Sequence, residues 1–103
     1  MDNNIFSSEE VQLVTFVLGQ ESFGVDIMNV QEIIRIPSIT VIPHAPIYVE
    51  GITNLRGNIL PVIDTRSRFG MAKTERDISS RVIVVDVGGH KVGLAVDAVS
   101  EVL

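Results

Sequence analysis

Part of this chain is written twice, and that narrows the possible folds more than any other feature. A strand–turn–strand run, Val82 to Val87 and Val92 to Val96 around Gly88-Gly89-His90-Lys91, falls over an earlier one when shifted by 69 positions. The earlier one runs from Val11 to Leu18, turns at Gly19-Gln20-Glu21-Ser22 and returns through Phe23 to Ile27. Under that shift Gly19 meets Gly88, Gly24 meets Gly93, Val30 meets Val99 and Glu32 meets Glu101. Val25 and Leu94, Ile27 and Val96, Ile33 and Val102, and Ile34 and Leu103 stay apolar in both copies. Compact β-branched and apolar runs closed by glycine-rich turns are hairpin signals, so both copies begin as antiparallel hairpins.

After its hairpin the first copy is expected to form a short helix. Asp26 can cap a helix beginning near Met28, and Ile27, Val30, Ile33 and Ile34 fall at three- and four-residue spacing. Pro37, Pro43 and Pro46 make residues 36–47 a stiff connection with room for a short strand at Ile39–Ile42. Ile47 to Thr53 and Ile59 to Ile63 read as another hairpin, turning at Asn54-Leu55-Arg56-Gly57-Asn58. Pro61 has no ladder donor and prefers an edge or a bulge. Asp64 can cap one turn through Arg68, and Gly70 stops it.

The expected organisation is a flexible N-terminus at 1–10, a first repeat at 11–70, an exposed polar linker at 71–80 and the start of a second repeat at 81–103. The first copy continues for 36 residues past its helix, from Arg35 to Gly70, whereas the second stops at its own. A second small barrel would thus lack its last strands and expose open edges. The chain is expected to be a truncated piece that borrows strands, oligomerises or belongs to a longer protein.

With 103 residues, 46% of them hydrophobic, there is material for one domain and none of the signature of disorder. A net charge of −5 disfavours nucleic acid and anionic membrane surfaces. No apolar run approaches the length of a membrane span, and the first residues lack a secretory signal. The absence of cysteine leaves neither disulfides nor thiolate metal sites and is compatible with the cytoplasm. His44 and His90, the only imidazoles, have no partner at metal-ligand spacing. Ser7, Ser8, Ser79 and Ser80 sit on no nucleophile elbow, and the Gly88-Gly89 turn joins two strands instead of opening a helix. Asp26, Asp64 and Asp97 stand where helix starts want caps, which explains them better than a carboxylate pair. An enzyme is not expected, and no metal or cofactor is called for.

What remains is surface for holding partners. Arg56 is either a solvated turn arginine or a bidentate donor for a partner's carboxylate or carbonyls. Glu32 is either a solvated helix residue or a contact residue, and Val30 is either core or the floor of an apolar groove.

Three segments carry a family resemblance. Leu13-Val14-Thr15-Phe16-Val17-Leu18-Gly19, with Phe23-Gly24-Val25-Asp26-Ile27 and Val30-Gln31-Glu32-Ile33, resembles the opening of CheW-type chemotaxis coupling proteins. Gly51-Ile52-Thr53-Asn54-Leu55-Arg56-Gly57-Asn58-Ile59-Leu60-Pro61-Val62-Ile63-Asp64 is similar to their most specific segment, and Val92 to Val99 to a later one. The resemblance runs from Val11 to Leu103 and implies an all-β fold with short helices: two interlocked five-stranded β-barrels, the second incomplete here. It also implies a cytoplasmic scaffold at receptor arrays, linking chemoreceptor tips to the regulatory domain of the CheA histidine kinase. Carried over by position, Arg56, Val30 and Glu32 would meet the receptor, while Val14, Ile27 and Ile33 would line the groove for its helical hairpin. Ile39, Ile42, Gly51 and Ile59 would face the kinase.

Three alternatives stand beside this reading. One is a CheW-like module of a larger protein, either a CheV-type adaptor with a receiver domain or the kinase's own regulatory domain. A strand beginning by Val11 after a free N-terminus favours the standalone adaptor over a kinase tail. The second is a small β-barrel enzyme, and the third a fragment persisting only as a strand-swapped oligomer.

Overall fold

The computed structural model describes residues 11–102. The flexible segment expected at 1–10 lies outside the described residues. The described residues form eight strands: β1 (Leu13–Leu18), β2 (Glu21–Asp26), β3 (Val30–Arg35), β4 (Val49–Leu55), β5 (Asn58–Asp64), β6 (Arg81–Val87), β7 (His90–Val96) and β8 (Ala98–Val102). A 3-10 turn at Ile27–Asn29 and one helical turn, α1 (Thr65–Arg68), complete the regular structure. The strands make two sheets, ordered β2-β1-β8 and β3-β6-β7-β5-β4. All pairings are antiparallel except β5 with β7.

The repeat explains this order. The opening hairpin of the first copy, β1–β2, pairs with β8 of the second. The hairpin of the second copy, β6–β7, sits inside the sheet built by β3, β4 and β5 of the first. The copies have exchanged hairpins, so neither sheet exists without both. All-β architecture and interlocking agree with expectation.

Strand β6 shows how the patterning works. Its Val82-Ile83-Val84-Val85 run is buried on both faces. Val82 and Val84 join Leu60, Val62 and Ala95 inside the five-stranded sheet, while Ile83 and Val85 meet Val14, Phe16 and Leu18 of β1. A strand walled on both sides reads as a continuous apolar run, whereas β1, packed on one face, alternates buried with half-buried residues. Each fully buried side chain of this size contributes about 1.5–3 kcal/mol.

The expected helices after the hairpins are strands. Asp26 does cap, its Oδ1 accepting the Met28 N–H at 2.8 Å, but the turn lasts three residues. Val30–Arg35 then pairs along β6, with Ile33 opposite Ile83. In so short a run the 3–4 spacing of Val30, Ile33 and Ile34 does not distinguish helix from strand. The β-branched residues and the available edge of β6 decide for the strand. The second copy repeats the outcome as β8. Asp97 therefore caps no helix. Asp64 occupies the N-cap of α1 but makes no cap hydrogen bond, accepting instead from Ser67 Oγ at 3.1 Å.

The strand expected at Ile39–Ile42 contracts to one bridge, in which Thr40 and Ile52 exchange backbone hydrogen bonds of 2.8 and 2.9 Å. That exchange also accommodates Pro61. Its partner Ile52 points its backbone groups at Thr40, so Pro61 faces away from β4 and sits just before the β7 ladder begins at Val62. The segment 71–80 forms no strand but is not wholly exposed. Met71 packs on the first core, Ser80 is buried, and Arg76 donates to Glu50 at 2.9 and 2.7 Å.

Candidate partner-binding surface

The β4–β5 hairpin turns in two residues, Arg56 at φ 52° and Gly57 at φ 84°. Two left-handed residues in succession match the twist of the flanking strands, which is why so tight a turn forms. Asn54 Oδ1 accepts the Gly57 N–H at 2.8 Å and holds it. The turn therefore presents Arg56 at a rigid tip.

From there the guanidinium grips Glu32 of β3 with both forks, Nη1 to Oε2 at 2.5 Å and Nη2 to Oε1 at 2.6 Å. The Arg56 side chain is still 68% exposed and that of Glu32 27%. A guanidinium has five N–H donors, and this pair uses one on each terminal nitrogen, leaving three without a partner among the described residues. The hydrogen bond from Arg56 holds the Glu32 carboxyl below its usual range, aided by the charges of Arg56 and Lys91 and opposed by desolvation. Beneath lies a depression of about 240 Å³, with Leu55, Leu60 and Val84 among its lining.

Ile27 and Val30 are half-buried and pack against the first core, and Ile33 is 38% exposed. Val14, expected to line the same groove, is 2% exposed. The alternation of β1 turns it inward, into the core against which Ile27 and Val30 pack. Among the kinase-facing candidates, Ile42 and Ile59 are exposed and Ile39 packs on the second core. Gly51 is buried, and a Cβ there would stand 2.1 Å from the Thr40 carbonyl oxygen. The missing side chain lets the two backbones approach each other. Ile59 also lines the depression beside Arg56, so the fold joins two residues that the resemblance assigns to separate surfaces.

A second ionic joint is invisible to sequence spacing. Arg66 of α1 binds Asp97 through Nε at 2.9 Å and Nη2 at 2.6 Å, and Asp97 Oδ2 accepts the Gly19 N–H at 2.7 Å. Asp97 stands between β7 and β8, so one carboxylate ties the two sheets to the β1–β2 turn. The Arg66 hydrogen bond, followed by that of Gly19, outweighs desolvation and holds its pKa below the ordinary 3.8. A carboxyl depressed in the folded state contributes stability above its unfolded pKa and loses it as pH falls through the folded value. Urea midpoints are expected to stay level from pH 7 to about 5 and to fall below about pH 4. Asp97→Asn should begin lower at pH 7 and show a shallower acid slope.

Among the described residues no three His, Cys, Asp or Glu side chains are placed to hold a metal, and no helix is long and apolar enough to cross a membrane. His44 and His90 are both exposed.

Comparison with known proteins places this geometry. The family model of the CheW-like domain matches residues 12–103. Over 101 residues the chain is 38% identical to the chemotaxis protein CheW of Treponema pallidum, covering 94% of this chain and 59% of that one. Over 92 residues it is 45% identical to the chemotaxis protein CheW of Rhizobium meliloti, covering 89% and 59%. The crystal structure of the scaffolding protein TtCheW from Thermoanaerobacter tengcongensis matches with a TM-score of 0.86 at 48% identity, covering 90% of this chain and 64% of that one. The chain thus spans 59% of these two curated relatives and 64% of the solved one. With the family model matching nearly the whole chain, and the fold shared with a solved scaffold, this chain belongs to the CheW-like family.

Proposed function

We propose that this chain is a non-catalytic chemotaxis adaptor that couples the cytoplasmic tip of a chemoreceptor to the regulatory domain of a CheA-type histidine kinase. One observation carries the proposal: a rigid hairpin tip holds Arg56 largely exposed over an apolar strip of Leu55, Leu60 and Val84 that floors one depression. An apolar strip flanked by an oriented guanidinium suits an amphipathic helix, whose apolar face is buried while the charge sets its register. The names of the relatives, chemotaxis protein and scaffolding protein, point the same way. The kinase side is assigned to the exposed Ile42 and Ile59, with Ile39 and Gly51 shaping it from beneath.

Coupling follows from geometry. A receptor state that contacts the strip and Arg56 differently shifts the kinase equilibrium by that difference in binding free energy. No cofactor takes part, and the site of action is the cytoplasm at receptor arrays.

The test is size-exclusion chromatography with light scattering, using the chain alone, with a receptor cytoplasmic fragment, and with a kinase regulatory domain. Co-elution with each partner is expected. A chain that stays folded and captures neither would overturn the reading. The mass of the chain alone also reports whether β8, an edge strand among the described residues, recruits a second copy by strand exchange.

A further inference from the structure

Acidic residues outnumber basic ones in this chain, 13 to 8, so a typical arginine should find a carboxylate. Three do: Arg56 binds Glu32, Arg66 binds Asp97, and Arg76 binds Glu50. Arg68 lies over the Tyr48 ring at 5.2 Å. The remaining two, Arg35 and Arg81, stand directly opposite each other on β3 and β6. Among the described residues neither forms an ion pair. Like charges at facing positions of an antiparallel pair destabilise the sheet, so the fold gains nothing from this placement.

The pair is nonetheless built. Arg81 is half-buried, and its Nη1 donates to the Ile78 carbonyl at 2.7 Å and the Ser80 carbonyl at 2.8 Å. Those bonds orient the guanidinium and leave Nε and Nη2 without a partner among the described residues. Arg35 is exposed, and both arginines line one depression of about 180 Å³. Asp77 lines it too, but its Oδ1 accepts the Ser79 N–H at 2.8 Å. Arg76, on the same rim, is held by Glu50. Apolar surface adjoins the charge, with Ile78 80% exposed and Ile33, two residues before Arg35 on the same strand face, 38% exposed.

We infer that Arg35 and Arg81 form a recognition site for a carboxylate-bearing segment of a partner protein, the acidic group between the guanidinium groups and its apolar neighbours on Ile33 and Ile78. An oriented arginine beside exposed apolar side chains is the composition of an interface hot spot. A chain of net charge −5 repels polyanions in general, so local capture of an acidic segment reports the pair itself. The inference does not depend on which proteins the adaptor serves.

The experiment is a titration of the isotope-labelled chain, following the arginine Nε–Hε resonances by NMR. The probes are a capped oligo-glutamate peptide, an oligo-glutamine peptide of equal length, and inorganic phosphate. Saturable shifts at Arg35 and Arg81 with oligo-glutamate alone are expected, weakened by about tenfold or more in R35Q/R81Q. Each single glutamine variant should keep or raise the melting temperature, because a facing like charge is relieved. Shifts that persist in the double variant, equal response to phosphate, or no saturable shift would each overturn the assignment. So would a lowered melting temperature in both single variants, which would mark the pair as structural.

Discussion

Gly51→Val should cost the domain on the order of 3 kcal/mol and lower its melting temperature by about 15 °C. A Cβ at position 51 would meet the Thr40 carbonyl oxygen at 2.1 Å, its carbon at 2.7 Å and Ile39 Cγ2 at 2.9 Å. Two of those atoms are backbone, so no rotamer change relieves the clash. The backbone at Gly51 also takes φ 155°, at the bulge between Val49 and Gly51 where the β4–β5 register shifts. Separating the chains there breaks both hydrogen bonds between Thr40 and Ile52 and frees the segment that carries Ile39 and Ile42. Kinase-domain capture should fall in parallel, as a consequence of the lost bridge and not of a lost contact. Thermal unfolding by circular dichroism checks the first effect. A Gly51→Val variant melting within a degree or two of the parent would mean that this bridge bears no load.

The second large effect concerns binding. Arg56→Glu should weaken capture of a receptor cytoplasmic fragment by about tenfold or more, as loss of a central arginine anchor does. The reversal also sets two carboxylates against each other, since Glu32 already occupies the inner side of the site. The exchanged pair E32R/R56E separates these causes. It restores an internal ion pair between β3 and the hairpin tip, yet places a carboxylate where the remaining donors of Arg56 stood. Recovery of the melting temperature without recovery of receptor binding is expected. If the exchange restored binding as well, Arg56 would be a brace and not a contact. Isothermal titration calorimetry with the receptor fragment gives the answer directly.

Much of this architecture was legible in the order of residues. The 69-residue repeat pointed to two hairpins of one kind, and the apolar runs Val11 to Leu18 and Val82 to Val87 marked their first strands. Asn54-Leu55-Arg56-Gly57-Asn58 announced a turn, and the residues around it carry the resemblance to the CheW family. These features are local. A turn with two positive φ values, or an alternation of period two, depends on neighbours along the chain and so survives in the one-dimensional record.

The features that escaped are those depending on a partner distant along the chain. Val30–Arg35 is a strand because the edge of β6, about fifty residues later, is there to receive it, and no short-range spacing encodes that edge. Asp97 looks like a helix cap until α1 brings Arg66 to it and the β1–β2 turn brings the Gly19 N–H. Val14 and Gly51 carried the residue types of a contact surface, but burial and a close backbone approach made them supports. Composition and local pattern settled the hairpins and their turns. Which edges meet, which carboxylate each arginine finds, and which two arginines face each other across β3 and β6 were set by the exchange of hairpins, because hydrogen bonds and ion pairs act through distances in space that chain order does not record.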